Sequence, residues 1–397
     1  MTLPLLKISD EKALKLLHYA LLVTAVSVFL PYVVVSVILP VTAACILLIS
    51  CLRNKILVHR GSVTVFVFLA VTSVVALCNG NFVGLRRTLV FASMMIVTFV
   101  ARSCMTRDFF EKMLNFVILG GCCSTVVSIV EAVICRDDPL YRSKAFFTNP
   151  NFFGTALTFV ILICAYKAAT GAKHPAVYYA AAIFNTLGLY LCGSMSLWLV
   201  AFLGILLTLI LTKQYRLLAV FLGIAAVALT AILLIPGMIP RLNEVSDTVI
   251  NREKIWLFAI ENIKDSPVFG RGFYSYKFLY DKLHETQVIY PAAMAHSVIL
   301  DSFLCHGAVG VALIITAVTQ FFRSVFVCRK KLKTNGMERP ISGFIIAISI
   351  AVACYGLMDT TFVWVQTGMI LMLISTGLGV EEREAENIAA SKSDAVD

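Results

Sequence analysis

The chain has 397 residues, is 59% hydrophobic and carries a formal net charge of +10. An apolar fraction so far above the roughly 45 to 50% of soluble domains excludes a water-soluble globular protein and requires lipid as solvent. The basic excess does not mark a nucleic-acid partner, because the lysines and arginines are spread between the apolar runs rather than gathered in one patch.

In chain order, the apolar runs predict spans over 18–36, 38–52, 62–78, 88–101, 113–134, 151–166, 176–193, 197–212, 217–238, 297–322, 341–358 and 362–380. The first two are divided only at Pro40, and the seventh and eighth only at Gly193-Ser194. The predicted fold is all-α: a polytopic transmembrane helix bundle of about 12 spans, forming a single membrane-embedded domain over 1–380. A large, partly helical extracytoplasmic loop, 238–296, separates spans nine and ten. The first apolar run lacks a small-residue cleavage site and leads into a second, which reads as an uncleaved first span.

The connections Arg53 to Arg60, Arg102 to Lys112, Lys167 to His174, Lys213 to Arg216 and Arg323 to Arg339 are basic and alternate with less basic ones. In this arrangement 21 of the 33 Lys and Arg residues lie on one side, and 7 of the other 12 lie in the single long loop. Long loops count little in the positive-inside rule, so both termini are predicted to be cytoplasmic. The tail 381–397, EEREAENIAASKSDAVD, is acidic and aperiodic and is expected to be disordered. Twelve cysteines without regular spacing, most of them within apolar runs, read as small hydrophobes. With no C-x-x-C, His-x-x-x-His or H-E-x-x-H pattern, no metal site and no cofactor are expected.

The long polar stretch, about Pro240 to Ala295, carries the amphipathic segment NREKIWLFAIENIKDS. Ile255, Trp256, Ala259, Ile260 and Ile263 share one helical face, Asn251 is placed to cap the start, and Ser266-Pro267 to end it. Such a helix would lie on the outer membrane surface or roof the bundle. PVFGRGF follows, in which Gly270 and Gly272 permit a tight turn and close approach of backbone to a ligand. As a bare G-x-G it follows no strand and is not a dinucleotide fingerprint.

The order Arg252, Trp256, Pro267, Gly270, Gly272, His296, Gly307, Gly310 resembles the signature region of the O-antigen ligase and polymerase superfamily, membrane-embedded bacterial glycosyltransferases. FFTNPNFFGTAL, around Asn149, Pro150 and Asn151, is similar to the family's Asn-Pro-Asn element at the start of a span. Two positions depart from the family pattern. Gly193-Ser194-Met195-Ser196 stands where Ser-Arg is frequent, and Ser297 follows the histidine where Asn is usual.

The resemblance implies a multi-pass enzyme of the plasma (inner) membrane. Without metal, it moves a glycan from an undecaprenyl pyrophosphate carrier to an acceptor glycan on the outer face, in O-antigen, capsule or exopolysaccharide synthesis; the divergence at Gly193-Ser194 favours a polymerase over a ligase. Such chemistry needs cations for two phosphates and a base for one hydroxyl. Among the outer-side arginines Arg86, Arg87, Arg136, Arg142, Arg241, Arg252 and Arg271, those at span ends suit a carrier whose tail stays in the bilayer, which favours Arg252 as catalytic and Arg86 and Arg87 as substrate-binding. His296, where the polar loop meets the tenth span, is the catalytic base, imidazole being the side chain that exchanges protons near neutral pH. Asn149, Asn151, Gly270 and Gly272 are expected to bind substrate. Of the acids near the apolar spans, Glu131, Asp301 and Asp359, Asp301 is favoured to orient His296 or bind sugar hydroxyls, since it follows by about one helical turn. The alternative, a transporter or lipid-linked oligosaccharide flippase, requires charge deep within spans, whereas the predicted spans hold no Lys or Arg.

Overall fold

The proline that divides the first two helices is Pro31, not Pro40. In the computed structural model, which describes residues 8–138, 140–234, 245–286, 288–338 and 340–393, α1 (Asp10–Ser27) ends ahead of Pro31 and α2 (Tyr32–Leu48) runs through Pro40. Proline drives the residue before it out of helical conformation. The carbonyls freed at this break, on Val28 and Leu30, accept from Gln366 Nε2 at 3.2 and 2.8 Å. Pro40 lies inside α2 and removes one N–H from its hydrogen-bond ladder.

The remaining elements are α3 (Ser50–Arg53), α4 (Ser62–Cys78), α5 (Phe82–Cys104), α6 (Arg107–Ile134), α7 (Pro150–Ala169), α8 (Pro175–Leu191), α9 (Met195–Leu211), α10 (Tyr215–Leu234), α11 (Val245–Asp265), α12 (Ser275–Leu283), α13 (Val298–Thr334), α14 (Pro340–Gly356), a 3-10 turn (Thr361–Val363), α15 (Val365–Ser375) and α16 (Leu378–Ser393). The described residues form no strand. Helices α5, α6, α7, α10 and α13 are long and apolar enough to cross a membrane; α2, α4, α9 and α14 are apolar and shorter. The chain is therefore an all-helical integral membrane protein.

Helix α7 is the axis of the bundle, buried against α6, α8, α9 and α15. Lipid gives no hydrophobic drive for helices to associate, so close approach through small residues supplies the packing. A Cβ added at Gly154 would come within 2.6 Å of Leu197, and one at Gly204 within 2.6 Å of Leu162, both across the α7–α9 contact. By contrast α10 buries none of its residues.

The polar segment after α10, described from Val245, is keyed into α13. That helix is broken at Gly307 (φ 58°, ψ −170°), and the 267–272 loop occupies the break. The Arg271 and Gly272 amides donate to the Cys305 carbonyl at 3.2 and 2.7 Å, and those of Ala308 and Val309 donate to Pro267 and Val268. A Cβ on Gly307 would stand 2.4 Å from the Val268 carbonyl carbon, and one on Gly270 2.5 Å from that of Cys305. Both positions require glycine for backbone-to-backbone contact and for positive φ.

Helix α11 begins at Val245, six residues before the expected cap, so Asn251 and Arg252 lie inside it. It ends ahead of Ser266-Pro267 as the sequence indicates. Its buried face is Ile255 and Ala259, with Trp256 and Ile263 packed against them; Ile260 is 41% exposed. Tyr276 and Leu279 of α12, which the sequence reading did not resolve, complete that cluster with Ala295 and Leu304.

The acidic tail is not a solvated coil up to Ser393. Helix α16 carries Glu381, fully buried, whose Oε1 accepts from the Ile341 and Ser342 amides at 3.0 and 3.1 Å and so caps α14. Glu382 forms a bidentate pair with Arg102, and Glu384 one with Arg107. A tail without an apolar run is ordered here by ion pairs and a cap, which hydropathy does not register. Residues 394–397 lie outside those described. Helices also extend beyond the predicted spans, so Arg102 and Lys167 are buried inside them, Arg102 on Glu382 and Lys167 on Glu111.

Candidate functional site

At the end of the bundle where α5, α7 and α13 begin, the chain gathers polar side chains from four separate segments. His296 precedes α13 with φ 49°, a left-handed conformation uncommon for a residue with a side chain. Its Nδ1 is 3.2 Å from Asp359 Oδ1. Asp359, 1% exposed, follows α14; its Oδ1 also accepts from the Thr360 amide at 2.7 Å, and its Oδ2 from Asn151 Nδ2 at 3.2 Å. Asn151 Oδ1 in turn accepts from Arg142 Nη2 at 2.6 Å, while Arg142 Nε donates to the Cys192 carbonyl at 2.9 Å. An ionised carboxylate only accepts, so Asp359 holds the hydrogen on Nδ1 and leaves the Nε2 lone pair presented. The His296 side chain is 29% exposed, and its Nε2 has no hydrogen-bond partner among the described residues.

The acid that contacts the histidine is thus Asp359 and not Asp301. Asp301 Oδ1 accepts from the Ala295 amide at 3.0 Å, which pins the turn ahead of His296. Because His296 lies outside α13, helical spacing does not apply between the two. Glu131 is likewise structural: its Oε2 accepts from Ser143 Oγ and from the Lys144 and Ala145 amides. It fixes the loop that carries Arg142. Asn149 is the N-cap of α7, accepting from the Asn151 amide at 2.8 Å, with Pro150 at the first helical position. The same dipeptide start that caps the helix delivers Asn151 to Asp359.

Gly270 and Gly272 face protein, the α13 break and Ala76 of α4, rather than open space. Arg252, half-buried on α11, makes no hydrogen bond or ion pair among the described residues and lies within Coulombic reach of Tyr355. Arg86 is exposed; Arg241 lies outside the described residues.

Arg87 is enclosed by three rings, Trp364 at 3.9 Å, Tyr32 at 4.4 Å and Tyr274 at 4.9 Å from its guanidinium carbon. Trp364 is stacked on Phe152, the neighbour of Asn151, at 4.6 Å. Arg87 Nε and Nη1, the Tyr32 hydroxyl and Trp364 Nε1 are all buried without a hydrogen-bond partner among the described residues. Polar groups left in that state are costly, and their concentration at one place marks a site built to meet an acceptor or water. Burial raises the Tyr274 phenol above its usual range, opposed by the adjacent Arg87, so it remains a donor. No three His, Cys, Asp or Glu side chains among the described residues gather in metal-binding geometry.

The sequence reading named Asp359 and Arg142 but ranked both below the residues it chose. The cost of an acid beside apolar spans was the available signal for Asp359. Nothing in the spacing links residues 142, 151, 296 and 359, which only the helix order brings together.

The protein is an all-helical membrane bundle with a histidine–carboxylate pair and a ring-caged arginine at one end. Residues 180–315, about a third of the chain, match the family described as O-Antigen ligase, which supports the resemblance to the O-antigen ligase and polymerase superfamily. The match includes Arg252, Gly270, His296, Asp301 and Gly307; Arg87, Arg142, Asn151 and Asp359 lie outside it. No curated protein matches the chain.

Proposed function

We propose that the chain is a membrane glycosyltransferase of the polysaccharide polymerase kind, working on lipid-linked glycans, with His296 as its general base. The observation that carries this reading is the His296–Asp359 contact, which leaves Nε2 available. His296 Nε2 takes the proton of an acceptor sugar hydroxyl, and the oxygen attacks the anomeric carbon of the donor. The bond from that carbon to the undecaprenyl pyrophosphate breaks, and its electron pair stays on the phosphate oxygen. The charge developing there is met by Arg87 and Arg252, and Arg142 holds Asn151 and through it Asp359. General-base assistance is worth about 10² to 10⁴ in rate. The twelve-span plan with cytoplasmic termini, which puts His296 on the outer face, belongs to this proposal and is supported by the basic bias of the opposite connections.

The test is the profile of lipid-linked glycans in cells carrying His296→Ala, Asp359→Asn or a gene deletion. Single repeat units should accumulate while long polymer is lost. Finished polymer that stays on its carrier instead identifies a ligase. An unchanged profile in the deletion strain refutes the glycan function, and an unchanged profile in His296→Ala alone refutes the base assignment.

A further inference from the structure

A polar cavity lies at the far end of the same helices. Helix α5, 23 residues long, rises about 1.5 Å per residue, or roughly 34 Å in all. Its start therefore lies in the His296 layer and its end, at Arg102, in the opposite interface. Here a cavity of about 320 Å³ opens between the α3–α4 connection, α5, α13 and α16. That volume is in the range of small-molecule sites, about 300 to 1,000 Å³.

The cavity has a built floor and a charged rim. Its floor is the Arg102–Glu382 pair, with Nε–Oε2 at 3.0 Å and Arg102 only 4% exposed. One wall is His59, whose Nε2 is 2.8 Å from Ser103 Oγ. Burial, then the nearby Arg102, push His59 down to about 4, so it contributes polarity without charge at neutral pH. Two rim cations, Arg60 and Lys331, are exposed and have no carboxylate partner among the described residues. Glu386, also exposed, stands on the same rim. Val58, 67% exposed, and Val327, 45% exposed, line the cavity and give its mouth an apolar edge.

Unpaired cations, one acid and an apolar edge at a membrane interface describe a single ligand chemistry: a phosphodiester with an amine on one side and hydrocarbon on the other. We propose that this cavity binds the headgroup of a membrane glycerophospholipid, its phosphate on Arg60 and Lys331, its ethanolamine ammonium on Glu386, and its acyl chains along Val58 and Val327. The lipid joins α16 to α13 and to the α3–α4 connection. This site is independent of the glycan chemistry at His296.

Purified full-length protein in detergent is titrated with phosphatidylethanolamine, phosphatidylglycerol or soluble glycerophosphoethanolamine, and bound lipid is read by native mass spectrometry alongside the thermal shift. The wild type should bind phosphatidylethanolamine in preference to phosphatidylglycerol. Arg60→Gln with Lys331→Gln should lower occupancy of both at least tenfold, and Glu386→Gln should abolish the preference. These side chains are exposed, so the lipid-free melting temperature should not move and serves as the folding control. Undiminished occupancy in the double variant overturns the site. Binding of the soluble headgroup as tight as that of the lipid also overturns it, in favour of a free phosphate ester.

Discussion

Asp359 has three hydrogen-bond partners, the Thr360 amide, Asn151 Nδ2 and His296 Nδ1. Replacing it by Asn keeps the shape but allows an N–H to face Nδ1, which reverses the tautomer and turns Nε2 into a donor. Asp359→Asn should lose at least about 10² in transfer rate while its melting temperature stays within a few degrees of wild type, measured on reconstituted protein. A purely structural role would instead lower both together. Gly307 is the opposite kind of position. Alanine there would meet the Val268 carbonyl carbon at 2.4 Å in a positive-φ backbone, and Gly307→Ala should destabilise the protein by about 2 to 4 kcal/mol, seen as a lower melting temperature. Of these two residues, the glycine stood in the recognised motif and the aspartate did not. A sequence motif records backbone demands as readily as chemistry.

Helix α16 is the element that hydropathy misjudged. Its contacts are the Glu381 cap on α14, the bidentate pairs from Glu382 and Glu384, and Arg383 donating to the Ser103 carbonyl. Losing a cap costs about 0.5 to 2 kcal/mol, and Glu381→Ala should lower the melting temperature correspondingly, whereas Asn387→Ala, at an exposed position of the same helix, should not. The same end carries a pH dependence. His59 is held at about 4 against 6.5 in an unperturbed imidazole, so the unfolded chain binds more protons between those values. Stability then rises with pH through that window and falls on acidification. His59→Gln should flatten the change in melting temperature between pH 6.5 and 4; an unaltered slope would assign it to other groups. The end of α11 at Ser266-Pro267 and the break at Gly193 were readable in the chain, whereas Pro40, expected as a boundary, lies inside α2. The start of α11 and the order of α16 were not; α16 is held to distant helices by ion pairs and a cap, which hydropathy does not register.

Across the whole molecule, the apolar runs and the charge bias between them made the all-helical membrane fold legible from sequence, and the spacing of Arg252, His296 and Gly307 pointed to the family that residues 180–315 match. What sequence could not convey is convergence: Arg142, Asn151, His296 and Asp359 are up to 217 positions apart and meet only because α7 starts, α14 ends and α13 starts in one layer. That layer is proposed to face outward. Single cysteines at Lys282 and Lys331 in a cysteine-free background should be labelled by impermeant reagent from opposite sides of the membrane, Lys282 from outside. The proposed transfer requires the histidine at the start of α13 to accept the proton of the incoming hydroxyl. The most direct measurement is the rate of glycan transfer by protein reconstituted in vesicles with lipid-linked substrate, comparing His296→Ala with His284→Ala, an exposed histidine of the same segment. We expect the first to fall by about 10² to 10⁴ and the second to keep the wild-type rate; a His296→Ala protein that transfers at the wild-type rate would contradict it.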